Sequence, residues 1–169
     1  MKQANFFPMI NPVQMSYLPH SGKLFFVIFI ATLLPAKTYA QSQPEHKAVT
    51  MAVLDYVEGI YEVAPERIER SVAKDLAKVG YWRAPEEHNY DESTMSYEQL
   101  VKLAGSWNAE GRVDAAEAPK KIEVLDILDQ TAVVKLSAAW GIDYLNLAKI
   151  DGRWMIKNVL WQSYPPESP

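Results

Sequence analysis

Apolar residues recur at helical spacing in the part of the chain that follows residue 41. Their spacing over residues 49–60 predicts a first helix that ends near Val63. Pro65 suits the first turn of a helix and opens a second one, which Gly80 is expected to end. The apolar stripe of this predicted second helix is Ile68, Val72, Leu76 and Val79.

A third helix is predicted after an irregular, aromatic and acidic stretch at residues 81–94. Ser96 and Gln99 have the spacing of a capping box, in which each side chain bonds the other residue's backbone N–H at a helix start. Apolar residues at helical spacing follow: Leu100, Val101, Ala104 and Trp107. The polar, glycine-containing residues 108–118 are typical of a loop.

From Pro119 onward the apolar spacing changes from helical to alternating. Four strands are predicted, at residues 120–128, 131–140, 142–150 and 153–162, with Asp151-Gly152 as a type I′ hairpin turn. One face of the second strand is apolar: Ala132, Val134, Leu136, Ala138 and Trp140. We therefore expect an α+β domain in which three N-terminal helices pack on a curved four-stranded antiparallel sheet and leave an apolar cone between them.

The residues before this domain have the pattern of an export signal. Lys23 precedes an apolar run at residues 24–34, and Thr38 and Ala40 are the small residues that a cleavage site requires. We expect cleavage near the bond between Ala40 and Gln41. The remaining domain would then lie in the periplasm or outside the cell.

A membrane anchor is the alternative interpretation of the same apolar run. A spanning helix needs about 20 apolar residues, and this run is roughly half that length. We therefore expect residues 1–40 to be a cleavable signal peptide and residues 41–169 to be a single domain. A start at Met15 instead of Met1 would give the leader a more usual length.

The charge of the domain disfavours some classes of partner. The chain holds 17 Lys and Arg and 21 Asp and Glu, a net charge of −4. Three of the basic residues and none of the acidic ones precede Gln41, so the domain that follows carries −7. Such a surface argues against nucleic acid and, after cleavage, against anionic membranes. The chain has no cysteine, which excludes disulfides and thiol chemistry.

Three segments resemble a known family. Residues 143–161, DYLNLAKIDGRWMIKNVLW, resemble the C-terminal signature of the putative lumazine-binding family, which belongs to the nuclear transport factor 2-like superfamily. Two further segments are similar to the first two helices of that family: Tyr56 with residues 59–61, and residues 65–70. The similarity extends over about residues 49–165.

The resemblance implies a cone-shaped α+β barrel with a pocket, often paired into a dimer through the sheet. The superfamily includes ketosteroid isomerases, dehydratases, cyclases and binding proteins on one scaffold, so the fold does not determine the function. Many relatives carry His-Pro after the second helix, where this chain has Ala73-Lys74. An exposed lysine with a pKa of about 10.4 does not replace histidine as a base at neutral pH.

Aromatic residues are numerous for a domain of this size. Ligand pockets favour aromatic walls with a few placed polar groups, although aromatic side chains also fill a core between helices and a sheet. Trp82 and Trp107 are the stronger pocket candidates, because both lie where a helix or loop closes the mouth of the expected cone.

Asn158 is a polar residue inside an otherwise apolar strand. Alternation places it on the expected inner face, together with Trp154, Ile156 and Leu160. There it would bond either a ligand or a neighbouring backbone group, since a buried amide left unpaired costs about 1–3 kcal/mol. The predicted ligand-binding residues are Tyr56, Trp82, Trp107, Trp140, Tyr144 and Asn158.

Asp143, at the start of the third strand, is a candidate general base if a pocket raises its pKa. Catalysis of the ketosteroid isomerase type would need a carboxyl and a tyrosine that converge on one substrate carbonyl, and Tyr56 is the candidate tyrosine. A solvated carboxylate at a strand end is the alternative. His88 lies among carboxylates at residues 86–92, which fits an exposed acidic loop better than a metal site. With no phosphate-binding loop and no nucleophile motif, we expect neither a metal nor a cofactor.

The sequence as a whole favours binding over catalysis. We expect an exported protein that holds a small apolar or heterocyclic ligand in a conical pocket. The alternatives are an isomerase- or dehydratase-like pocket enzyme that uses Asp143 and Tyr56, and a non-catalytic module that pairs through its sheet as a homodimer.

Overall fold

The structure is a computed structural model, and it describes residues 43–165. These residues form three helices, α1 (Gln43–Tyr61), α2 (Pro65–Ser71) and α3 (Tyr97–Ala104). They also form six strands: β1 (Val72–Trp82), β2 (Asp91–Met95), β3 (Lys120–Ile127), β4 (Thr131–Ala138), β5 (Gly141–Ile150) and β6 (Arg153–Gln162). Within this range no helix combines the length and apolarity that a membrane crossing requires. The predicted signal peptide lies outside the described residues.

The helix starts and ends follow the local sequence signals. The first helix ends just before Val63, which has a positive φ of 57°, and Pro65 opens α2 without needing a backbone N–H. The predicted capping box at α3 is confirmed, because Gln99 N donates to Ser96 Oγ at 3.3 Å and Ser96 N donates to Gln99 Oε1 at 2.7 Å. The buried apolar face of α1 is Val49, Ala52, Val53, Tyr56, Val57 and Ile60.

The prediction that the second helix continues to Val79 is wrong, because the chain becomes strand β1 after Ser71. Apolar residues four positions apart, such as Val72 and Leu76, fit either one helical turn or two strand repeats. From Leu76 onward the burial alternates, with Lys78 and Gly80 inward. Hydrogen bonding to two neighbouring strands decides this ambiguity, and that pairing is not visible in the local pattern.

The six strands form one sheet in the order β2-β1-β6-β5-β4-β3. Strands β1 and β6 are parallel, and every other neighbouring pair is antiparallel. The four predicted antiparallel strands are present as β3 to β6 with closely similar bounds. The prediction of a purely antiparallel four-stranded sheet is nevertheless wrong, because β1 and β2 arise from residues interpreted as helix and irregular chain.

The core lies between the inner face of the sheet and the three helices. The predicted apolar face of β4 is confirmed within the strand, since Ala132, Val134, Leu136 and Ala138 are all at most 2% exposed. Burying a Val or Leu side chain contributes roughly 1.5–3 kcal/mol, so this face is a main source of stability. The outer face of the sheet keeps Val133, Tyr144 and Leu160 exposed.

A bulge in β6 reverses which residues face the core. Asn146 pairs with Asn158 but Leu147 pairs with Ile156, so Lys157 is an extra residue in β6. Beyond the bulge Val159 is fully buried and Leu160 is 46% exposed. The predicted inner-face position of Asn158 is therefore wrong, because uninterrupted alternation does not hold across a bulge.

Candidate functional site

A cavity of about 190 Å³ opens between α1, α3 and the sheet. It is larger than a cavity of about 150 Å³ that admits benzene and smaller than the roughly 300–1,000 Å³ typical of drug-sized ligands. Its size therefore suits a molecule of one or two fused rings. The lining residues are Tyr56, Ile60, Lys78, Met95, Leu103, Trp107, Trp140 and Trp161.

The aromatic wall of this cavity is held by contacts between its own rings. Trp140 lies edge-on to Trp107, with ring centroids 5.5 Å apart, and edge-on to Tyr56, with centroids 6.3 Å apart. Tyr61 packs behind both tryptophans, and its hydroxyl donates to Pro119 O at 2.7 Å. Edge-to-face packing of this kind fixes ring orientation, so the wall is formed before any ligand enters.

The opposite wall depends on a close approach between β1 and Trp161. A side chain at Gly80 would place its Cβ 1.8 Å from Trp161 Nε1, so only glycine leaves room for the indole ring. The β6 bulge turns Trp161 towards the cavity, where it is partly buried. A glycine in one strand and a bulge in its neighbour thus shape the same wall.

Lys78 is the one buried lysine among residues 43–165, and it is only 6% exposed. Its Nζ donates to Tyr56 Oη at 2.9 Å and lies over two rings, 5.3 Å from the Trp161 centroid and 5.6 Å from the Tyr56 centroid. These rings stabilise an ammonium group by cation–π attraction. Burial lowers the pKa of Lys78, and the charge of Asp143 opposes that shift.

Asp143 lies behind Tyr56 and is fully buried. Its carboxylate accepts hydrogen bonds from Trp140 Nε1, at 3.2 and 3.3 Å, and from the Tyr56 hydroxyl. Burial raises the pKa of Asp143, while Lys78 and these two donors lower it. Burial and then Asp143 raise the pKa of Tyr56 well above its usual range. A hydrogen-bonded chain thus runs from Lys78 through Tyr56 to Asp143, and we call it the Lys78–Tyr56–Asp143 network.

The structure brings some of the predicted residues together and separates others. Tyr56, Trp107 and Trp140 line the cavity, and Asp143 contacts two of them. Trp82, Tyr144 and Asn158 lie outside this lining, with Trp82 48% and Tyr144 47% exposed. Asn158 instead donates to Ala77 O at 2.9 Å and accepts from Asn146 at 3.0 Å, which is the neighbour-bonding alternative. Ligand contact by any of these residues stays a prediction.

Lys78 is the polar cavity residue that sequence reasoning missed. It was placed on a predicted helix, where a lysine normally faces water. Local alternation offers no signal for its inward strand position, because Lys74 has the same alternation phase as Lys78 and is exposed. The missed apolar lining residues are Ile60, Met95, Leu103 and Trp161.

Metal-binding side chains do not cluster in the part of the chain that the structure describes. Within residues 43–165 no three His, Cys, Asp or Glu side chains come together as a metal site would require. The cavity lining offers aromatic faces and one amine, which suit a planar organic molecule better than a metal ion.

The described residues form an α+β domain of the NTF2-like class, with a pocket between helices and sheet. Similar solved structures include NTF2-like proteins of unknown function from Silicibacter pomeroyi DSS-3 and Shewanella baltica OS155. Each is 15% identical to this chain over 72% of its length. The match covers 97% of the Silicibacter chain with a TM-score of 0.57, and 95% of the Shewanella chain with a TM-score of 0.56. A protein named as a putative scytalone dehydratase, from Novosphingobium aromaticivorans DSM 12444, is 15% identical over 72% of this chain and 85% of its own, with a TM-score of 0.51. At this identity the likeness shows the fold alone.

A family model described as Putative lumazine-binding matches residues 44–162. The chain belongs to this family, which confirms the resemblance found in the sequence. No curated protein matches the chain.

The buried charges predict that the free energy of unfolding of a Lys78→Met variant depends on pH in an unusual way. Without the ammonium, the pKa of Asp143 should rise further, because the charge of Lys78 is a main influence that lowers it. A carboxyl whose pKa is raised in the folded state contributes its full stability to the fold below its unfolded-state pKa. That contribution is lost as the pH rises through the folded-state pKa. We expect the variant to be destabilised by about 3 kcal/mol at neutral pH and less at pH values near 4.

Urea unfolding of wild type and variant across this pH range measures the effect. The matched control is the double variant Lys78→Met/Asp143→Asn, which has no buried carboxyl left to titrate. Equal pH dependence in the single and double variants would contradict the coupling between Lys78 and Asp143.

Proposed function

We propose that this protein binds a small planar molecule, apolar or heterocyclic, that carries a hydrogen-bond acceptor. The observation that carries this proposal is a single buried amine facing a cavity whose other lining residues are aromatic or aliphatic, apart from the Tyr56 hydroxyl. Aromatic faces favour a flat ring, and the Lys78 amine favours a carbonyl or another acceptor at one edge of that ring.

Charge balance further limits the ligand. An ionised Asp143 neutralises an ionised Lys78 through Tyr56, so the network as a whole carries no net charge. A neutral acceptor such as a ring carbonyl then bonds Lys78 without leaving an uncompensated buried charge. The two-ring heterocycle in the family's description has such carbonyls, which makes lumazine a reasonable first probe.

The proposal includes export. The apolar run at residues 24–34 and the small residues before Gln41 support cleavage there, leaving an acidic domain in the periplasm or outside the cell. A homodimer through the outer face of the sheet is the proposed assembly. Tyr144 and Leu160 are direct cross-strand partners and both are nearly half exposed, which supports an apolar contact with a second copy.

Native mass spectrometry of the protein purified from the periplasm of its source tests export, assembly and ligand together. We expect a chain mass that matches residues 41–169, a dimer of that chain, and a small molecule released on activation in the gas phase. A full-length chain in that fraction would overturn cleavage after Ala40, and absence of the protein from both the periplasm and the medium would overturn export. A monomer at micromolar concentration would overturn the dimer, and a bare protein from several growth conditions would count against the binding proposal.

Variants of two tryptophans test whether the cavity is the binding site. Trp107→Ala removes part of the aromatic wall and should weaken lumazine binding about tenfold, since one aromatic contact contributes roughly 0.5–1.5 kcal/mol. Trp82→Ala removes an exposed tryptophan outside the cavity and should leave the Kd unchanged. Isothermal titration calorimetry measures both, with circular dichroism as the check on folding. Equal losses of lumazine affinity in the two variants would mean that the ligand binds outside this cavity.

Catalysis of the isomerase or dehydratase type is the second candidate, and the Lys78–Tyr56–Asp143 network favours it. Tyr56 and Lys78 are both placed to stabilise negative charge that develops on a carbonyl oxygen in the cavity. Asp143 is not in the lining, so it would act through Tyr56 and not as the base on substrate.

Deuterium exchange next to the carbonyl of cyclohexanone, followed by NMR in D₂O, tests this candidate. If the wild type accelerates exchange, we expect Tyr56→Phe to slow it about 100-fold, because removing one hydrogen-bond donor to a developing oxyanion has an effect of about this size. Asp143→Asn should also reduce the rate, and Tyr144→Phe on the outer face is the matched control. An unchanged rate in Asp143→Asn would remove Asp143 from the mechanism.

A further inference from the structure

The Lys78 amine has the surroundings of a nucleophile as well as those of a hydrogen-bond donor. It is 6% exposed, yet it lines a cavity large enough for a single aromatic ring. Its backbone is held on both sides, because Lys78 pairs with Met95 of β2 and with Val159 of β6. The side chain therefore leaves a rigid strand and ends at the cavity wall, in contact with the rings of Tyr56 and Trp161.

We propose that Lys78 forms a reversible imine with an aldehyde or ketone seated in the cavity. The inference rests on the proposed small-molecule binding, and it narrows the ligand to a carbonyl compound that reacts with a primary amine. No other lysine among residues 43–165 is buried, so the remaining described lysines have no comparable apolar surroundings for a bound carbonyl.

The neighbouring groups provide a route for the proton that an ammonium must lose before it can attack. Lys78 Nζ donates to Tyr56 Oη at 2.9 Å, and the Tyr56 hydroxyl in turn bonds Asp143. Moving one proton along each bond converts an ammonium and a carboxylate into an amine and a carboxylic acid. Burial lowers the pKa of Lys78 and raises the pKa of Asp143, so both shifts favour this neutral pair.

The proposed reaction is a condensation and needs no oxidant or reductant. The lone pair of Lys78 Nζ forms a bond to the carbonyl carbon, and the carbonyl electron pair moves to oxygen, which takes up a proton. Nitrogen then loses a proton to give a neutral carbinolamine, whose hydroxyl takes up a second proton. The C–O bond breaks and water leaves as the C=N bond forms, and the resulting iminium loses its remaining N–H proton to give the imine. Tyr56 is the positioned group that can give and take these protons, with Asp143 as the proton store behind it.

The test uses benzaldehyde as the probe and sodium cyanoborohydride to trap any imine as a stable benzyl amine. The wild-type protein is digested after short exposures, and benzylation of each lysine is followed by peptide mass spectrometry. We expect Lys78 to be modified about tenfold faster than exposed lysines, because burial lowers the pKa of Lys78 and so raises its free-amine fraction near neutral pH. Lys74, exposed on the same strand, is the internal reference.

Two variants and a second ligand separate the possible outcomes. Tyr56→Phe should slow trapping at Lys78 while leaving Lys74 unchanged, whereas Lys74→Arg should leave trapping at Lys78 unchanged. Benzyl alcohol has the same ring without the electrophile, and its binding is followed by calorimetry. If benzyl alcohol binds while Lys78 is modified no faster than Lys74, the imine proposal fails and the binding proposal survives. If neither compound enters the cavity, both fail.

Discussion

The hydrogen-bonded chain from Lys78 through Tyr56 to Asp143 joins three elements that are distant in sequence. It connects β1 to α1 and α1 to β5, and both of its charged ends are at least 94% buried. Burying either charge alone in this interior would strongly destabilise the fold, and each charge is tolerated because the other is present. This pairing links α1, β1 and β5, and it sets the polarity of the cavity.

The same pairing explains how an apolar cavity can hold a lysine amine. Aromatic rings exclude water from Lys78, which makes the amine less basic and strengthens every hydrogen bond near it. Because the rings contact one another, this environment exists before a ligand arrives. The proposed selection for a flat shape rests on these walls, and the proposed selection for an acceptor or a carbonyl rests on one amine.

Members of the NTF2-like class share a scaffold on which unrelated functions are built, so the site and not the fold distinguishes this protein. Here two local departures from regular strand structure create the site. A glycine at position 80 admits the Trp161 ring, and the bulge at Lys157 turns that ring inward. Both define the cavity wall, and the bulge also turns Val159 into the core.

The sequence by itself determined the elements whose signals are local: α1, the α3 capping box, the four C-terminal strands and the Asp151-Gly152 turn, with φ values of 49° and 77°. It also identified Tyr56 and Asp143 as a pair worth testing. Only the tertiary structure decided that residues after Ser71 form a strand, since β6 supplies the hydrogen bonds. It also decided that Lys78 faces inward and Asn158 outward, because strand pairing and a bulge set those directions and leave no periodic trace in the sequence.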